Sequence, residues 1–245
     1  MQILISCAKT MGQAAHAPSA ITLPAFLPEA ERAARCLMTL DAATLGGMLR
    51  VNASLAAANA RRYAAFFDDS TPVVPALWAY TGIVFQQIDA ASLSRADVAW
   101  AQQHLFITSF LYGLLRPCDG IRPYRLEGDA QLPCDDGLNR FKHWQPLLTD
   151  HLIAAAKADD GVLVNLASSE MKRLFDWRRV CREVHVVTPD FRTIDGDRER
   201  SVVVYTKMSR GQMTRHLIQQ RATDTRHLAD FMPDIEGAAV VTRLM

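Results

Sequence analysis

Three stretches of the chain place a cation or a hydroxyl where an apolar run gives way to a polar turn. Ser6-Cys7-Ala8-Lys9-Thr10 follows the apolar Ile3 to Ile5. Asn165 to Lys172 follows Val162-Leu163-Val164, with Ser168 and Ser169 placed to cap a helix and Lys172 one turn in. Tyr205 to Gly211 sets Lys207, Ser209 and Arg210 beside an expected helix start. A strand-to-helix junction offers free backbone N–H groups and the positive end of a helix dipole, which is the chemistry of holding a phosphate or carboxylate. A fourth segment, Arg116 to Glu127, interleaves Arg116, Arg122 and Arg125 with Tyr124 on a proline-stiffened loop. That pattern suits gripping phosphates and stacking on bases.

The candidate anion- or nucleic-acid-binding residues are therefore Lys9, Thr10, Arg116, Arg122, Tyr124, Arg125, Ser168, Lys172, Lys207 and Arg210. If the site is catalytic, Glu127 or Glu170 is the expected general acid/base, with Asn165 and Tyr112 orienting the substrate. Each residue also has an ordinary reading as a helix cap, a surface cation or half of an Arg–Glu pair. Their recurrence at several junctions is what points to an anion.

Other chemistries find little support. The dinucleotide-binding glycine pattern, the Walker A loop, the nucleophile elbow and the kinase signatures are absent. Cys7, Cys36, Cys118, Cys134 and Cys181 are scattered and odd in number, without paired spacing, as in a protein of a reducing compartment. Cys7 reads as an inert apolar thiol. The seven histidines, His16 among them, show no metal-ligand spacing, so no metal and no cofactor are expected. The first residues lack the basic and apolar regions of a signal peptide, and no apolar run reaches the ~18 residues of a membrane span. A cytoplasmic protein with no membrane partner, and a monomer, is the expectation.

The net charge of +1 argues against bulk coating of nucleic acid, but it conceals a segregation. Met171 to His227 holds thirteen basic and seven acidic residues, whereas Leu126 to Glu170 holds three basic and eight acidic. A basic third thus follows an acidic stretch.

The elements that must position these residues follow from apolar periodicity and capping. Ile3 to Ile5, Leu105 to Ser109, Val162 to Ala167, Val184 to Val187 and Val202 to Tyr205 read as strands. Asp195-Gly196-Asp197 reads as a hairpin turn between the last two. Helices are expected from Pro28, from a cap at Asp41 or Thr44, over Val51 to Phe67, after the Ser94/Asp97 capping box, over Arg140 to Ala156, and over Ser209 to Gln220. Met11 to Pro28 reads as a long irregular excursion. With no repeat and no linker, residues 1–245 are expected to form one domain of mixed α/β class, a central mixed sheet flanked by helices with a basic cleft.

Ile-Ser-Cys-Ala-Lys-Thr near the start, Ala101-Gln102-Gln103-His104-Leu105, Leu111 to Pro117, Pro123-Tyr124-Arg125-Leu126-Glu127, Asn165 to Glu170, and Lys207 with Arg210-Gly211 together resemble the peroxide-stress protein YaaA family. The resemblance runs in order from residue 2 to about residue 231. It implies a cytosolic bacterial protein with a positively charged cleft. It further implies a role in limiting iron-driven oxidative damage, with DNA binding as the molecular activity. The chain departs from the family pattern at Cys7, Thr81, Ile83, Phe110 and Met208, and its tail after Phe231 is short.

Two functional classes follow. One is a DNA-binding protein that holds phosphates in the basic cleft. The other is an enzyme acting on a nucleobase, nucleotide or similar small anion in the same place. A long open groove favours the first and a deep closed pocket the second. Direct iron sequestration has no local support, since no ligand cluster is evident.

Overall fold

The computed structural model describes residues 1–12, 17 and 20–244. His16 lies outside them. The strands are β1 (Gln2–Ile5), β2 (Val74–Pro75), β3 (Leu105–Ser109), β4 (Gly113–Leu115), β5 (Gly120–Ile121), β6 (Val162–Asn165), β7 (His185–Val187), β8 (Pro189–Asp195), β9 (Arg198–Arg200) and β10 (Ala239–Leu244). The helices are α1 (Leu27–Met38), α2 (Ala42–Leu49), α3 (Ala53–Ala64), α4 (Ala76–Ala79), α5 (Ile83–Ile88), α6 (Arg95–His104), α7 (Arg140–Ala158), α8 (Ser169–Lys172), α9 (Trp177–Glu183), α10 (Val203–Gln220) and α11 (Arg226–Ala229).

The class is mixed α/β, as the residue pattern predicts. A five-stranded sheet of order β4-β3-β1-β6-β7 forms the centre. β3, β1, β6 and β7 run parallel, and β4 folds back antiparallel on β3. β1 lies in the middle with all four residues buried, which is why its sequence is a continuous apolar run after Gln2 and not an alternating one. A smaller antiparallel sheet of order β10-β8-β9 and the short β2–β5 pair complete the strands.

Helix starts follow local side-chain chemistry. The Asp41 carboxylate accepts the Thr44 N–H at 2.7 Å, Asn52 accepts from Leu55, Asn139 accepts from Lys142, and Ser94 with Asp97 closes a capping box. The chain leaving β3 is fixed by α7. The Phe110 carbonyl accepts both Trp144 Nε1 at 2.8 Å and Arg140 Nε at 3.0 Å. Gly113 then turns the chain into β4 with φ +75, where a Cβ would meet the Trp144 ring.

One sequence expectation is corrected. Val202 to Tyr205 is not a strand, because α10 begins at Val203. The hairpin turn at residues 196–197 joins β8 to β9 instead. β-branched residues disfavour helix by only a few tenths of a kcal/mol each, so packing decides. That packing is the close approach of α10 to α5. A Cβ on Gly211 would collide with the Val84 carbonyl oxygen and Gln87 Cβ. Replacing Gly211 with alanine is expected to force the helices apart and cost ~1–3 kcal/mol in urea denaturation.

Among the described residues no helix is long and apolar enough to cross a membrane, and no group of three or more His, Cys, Asp or Glu could hold a metal ion.

Candidate functional site

A cavity of about 370 Å³ opens where the parallel strands end. The carboxyl ends of parallel strands are the usual place for ligand clefts in such sheets. Ser6 to Thr10 after β1, Phe110 after β3, and Leu166, Ser168, Glu170 and Met171 after β6 form one side. Gly82 to Phe85 at the start of α5, Tyr124 to Leu126, and Lys207 with Arg210 on α10 form the rest.

The two strand ends are tied directly together, since the Ser168 N–H donates to Ser6 Oγ at 2.9 Å. Ser168 also caps the one-turn α8 through the Met171 N–H. The loop that carries Thr10 is held across the cavity by the Thr81 N–H, which donates to the Thr10 carbonyl at 3.1 Å.

The cations around the cavity differ in how they are balanced. Lys9 Nζ lies 2.7 Å from Glu127 Oε2, and Arg125 Nη2 lies 3.0 Å from Glu127 Oε1. Both carboxylate oxygens of Glu127 are thus engaged, and it bridges two cations over the rim. Lys207 and Arg210 pair with no carboxylate among the described residues. Arg210 is half-buried, and its Nε is enclosed without a hydrogen-bond partner. Burial pushes the Arg210 guanidinium below its ordinary value, opposed only by the charge of Asp190.

Several predicted residues are placed elsewhere, for identifiable reasons. Arg116 lies at the opposite end of the sheet. Its Nη1 donates to Gln2 Oε1 at 3.0 Å, at the start of β1, and its guanidinium stacks 3.5 Å from the Phe106 ring centroid. Burial brings it down to about 10. Arg122 reaches the Asp68 carbonyl, away from the cavity, and its N–H donates to the Tyr112 hydroxyl at 3.0 Å. Tyr112 is buried in the core and does not reach the cavity wall. Asn165 is also buried and off the wall, accepting the Ala167 N–H and donating to Thr188 Oγ1. Lys172 stands over the Trp177 ring.

Tyr124 lines the cavity but is not available to stack on a base. Its hydroxyl is buried between Tyr80 and Ser109, at 2.7 Å from each. Ser109 Oγ already accepts the N–H groups of Leu111 and Tyr112, which leaves its proton for Tyr124. Cys7 lines the cavity as well, and burial pushes its thiol up to about 12 despite a hydrogen bond to Thr108. It is therefore protonated at neutral pH, and the thiolate is a minor form.

The structure thus brings Lys9, Thr10, Tyr124, Arg125, Ser168, Glu170, Lys207 and Arg210 to one cavity. What sequence reasoning missed is the apolar part of the wall, Ile83, Val84, Phe85, Phe110, Leu126 and Leu166, which carries no chemical signature.

Comparison with known proteins agrees over the whole length. A family model described as peroxide stress protein YaaA matches residues 1–241. A UPF0246 protein of Bacteroides fragilis is 47% identical over 232 residues, covering 94% of this chain and 90% of that protein. Similar proteins come from Bacteroides thetaiotaomicron, at 46% over 94% of this chain and 90% of that protein, and Aromatoleum aromaticum, at 38% over 97% and 92%.

Proposed function

We propose, from the premise that this chain belongs to the peroxide stress protein YaaA family, that it limits iron-driven damage in the bacterial cytoplasm by binding DNA as a monomer. In this reading the DNA backbone lies across the cavity mouth, with phosphates held by Lys207 and Arg210 and by the Lys9–Glu127–Arg125 bridge. A single observation carries the reading. Arg210 is a desolvated guanidinium beside a second unpaired cation, facing a cavity with no acid paired to either. Burial costs the Arg210 guanidinium part of its hydration, and an anionic ligand offsets that loss.

The size of the cavity limits how DNA is held. About 370 Å³ accommodates one nucleotide but not a duplex. The duplex therefore stays at the rim, and one nucleotide of a single strand or distorted site enters. A deoxynucleoside monophosphate should then compete with a labelled single strand for the protein. At a hundredfold excess over its dissociation constant it should add about 2.7 kcal/mol of stability in a thermal-shift measurement. Absence of both effects would overturn the cavity reading.

The Glu170 carboxyl on the cavity wall favours a second reading, an enzyme acting on a nucleobase or nucleotide. Glu170 is then the general acid/base, since Glu127 is occupied and Tyr112 and Asn165 face elsewhere. Chromatography of nucleotides and oligonucleotides after incubation, read for released base or altered nucleotide, separates this reading from binding alone. Neither reading invokes a cofactor.

A further inference from the structure

Cys36 and Cys134 are 98 residues apart in sequence and adjacent in space. Cys36 sits on the last turns of α1, and Cys134 lies in the loop before α7. Both are half-buried and reduced. The approach of these segments is fixed by Arg32, one turn before Cys36 on the same helix. Its Nη1 donates to the Cys134 carbonyl at 2.6 Å and its Nη2 to Asp135 Oδ1 at 2.7 Å. Asp135 is in turn paired with Arg140 at the start of α7. The Arg32 clamp holds residues 134–135 onto α1 and places the Cys134 thiol close enough to Cys36 for the two to perturb each other.

We propose that Cys36 and Cys134 are a dithiol site that hydrogen peroxide oxidises to a disulfide joining α1 to the loop before α7. In the first step one sulfur, as thiolate, attacks a peroxide oxygen. The O–O bond breaks, water leaves after protonation, and a sulfenic acid remains. In the second step the other thiol attacks that sulfur. An S–S bond forms, the S–O bond breaks, and a second water leaves. Two thiols and one peroxide give one disulfide and two waters. The sulfurs together lose two electrons, and the peroxide gains them.

Burial, aided by the contact with Cys36, pushes the Cys134 thiol up to about 11. The thiolate is a minor form at neutral pH, so the disulfide builds up during sustained exposure and not within a brief pulse. The bond would also reach the candidate cavity, because Asp135 holds Arg140 and Arg140 holds the carbonyl of the cavity residue Phe110.

The test uses the full chain with the exposed Cys181 replaced, Cys181→Ser, and peroxide as the only oxidant. After oxidation and denaturation, four titratable thiols should fall to two. A non-reducing tryptic map should show residues 36–50 joined to residues 126–140, two hydrogens lighter than their sum, with the link lost on reduction. Recovery of both peptides as free thiols, or Cys36 and Cys134 each oxidised further without a link, would overturn the proposal. The same map on the unmodified chain checks the result independently of the substitution.

Discussion

Replacing Asp135 with alanine is expected to destabilise the protein by about 3–5 kcal/mol, a fall in melting temperature on the order of 10 °C for a chain of this size. The Asp135 side chain is inaccessible to solvent and pairs with Arg140, which is equally inaccessible, and with Arg32. Without it, Arg140 becomes a buried charge with no counter-ion, and its Nη2 already lacks a partner. The loss propagates through Arg140 to the Phe110 carbonyl and so to the turn that leaves β3.

The effect has a defined pH signature. Burial raises the Asp135 carboxyl, but the charge of Arg140, hydrogen bonds from Arg32 and Arg140, and His143 outweigh it, so the net displacement is downward. A carboxylate with a depressed folded-state value contributes stability above its unfolded value of about 3.9 and loses it as pH falls through the folded value. The gap between the native chain and Asp135→Ala in urea denaturation should therefore be full at neutral pH and close in strong acid. A constant gap would show that the ion pair is not its source.

The second large effect is expected at Arg210, with binding and stability moving apart. Arg210→Ala should weaken the hold on an anionic ligand by roughly 10- to 100-fold, the range of one charge-assisted hydrogen bond. Its melting temperature should be unchanged or higher, because the substitution removes a partly desolvated cation that forms no ion pair and feels only the charge of Asp190. Arg116→Ala should behave in the opposite way. Arg116 is packed on Phe106 and bonded to Gln2 at the far end of the sheet. Its removal should lower stability and leave binding intact. Calorimetric titration and thermal denaturation of both variants check the pair. A parallel loss of stability and binding at Arg210 would make it a structural residue.

The contrast between these arginines shows what the residue pattern contains. The central strands announce themselves, because a strand buried on both faces needs a continuous apolar run, as in Ile3-Leu4-Ile5 and Val162-Leu163-Val164. The junction residues after β1 and β6 were legible for the same reason, since any polar turn after such a run is a candidate. Strand direction is not written locally. β4 returns antiparallel to β3, so Arg116, which follows it, emerges at the end of the sheet opposite Ser6 and Ser168. Tyr112 and Asn165 have the composition of site residues but serve the core, where the Tyr112 hydroxyl meets a backbone N–H and Asn165 meets the Ala167 N–H and Thr188 Oγ1. Val202 to Tyr205 has strand propensity and forms the first turn of α10, because contact with α5 outweighs a small local preference. That contact brings Lys207 and Arg210 over strand ends remote in sequence, which no local pattern encodes.

The most direct test of anion binding at this cavity is the salt dependence of DNA binding by the native chain and by Lys207→Ala/Arg210→Ala. Each duplex phosphate neutralised by a cation contributes about 0.9 to the slope of log K against log salt. The native chain should show measurable, salt-sensitive binding, and the double variant should bind more weakly with a slope shallower by roughly 1.8 for two lost contacts. Equal affinity and equal slope for the two proteins would contradict the assignment of this cavity as the anion-binding site.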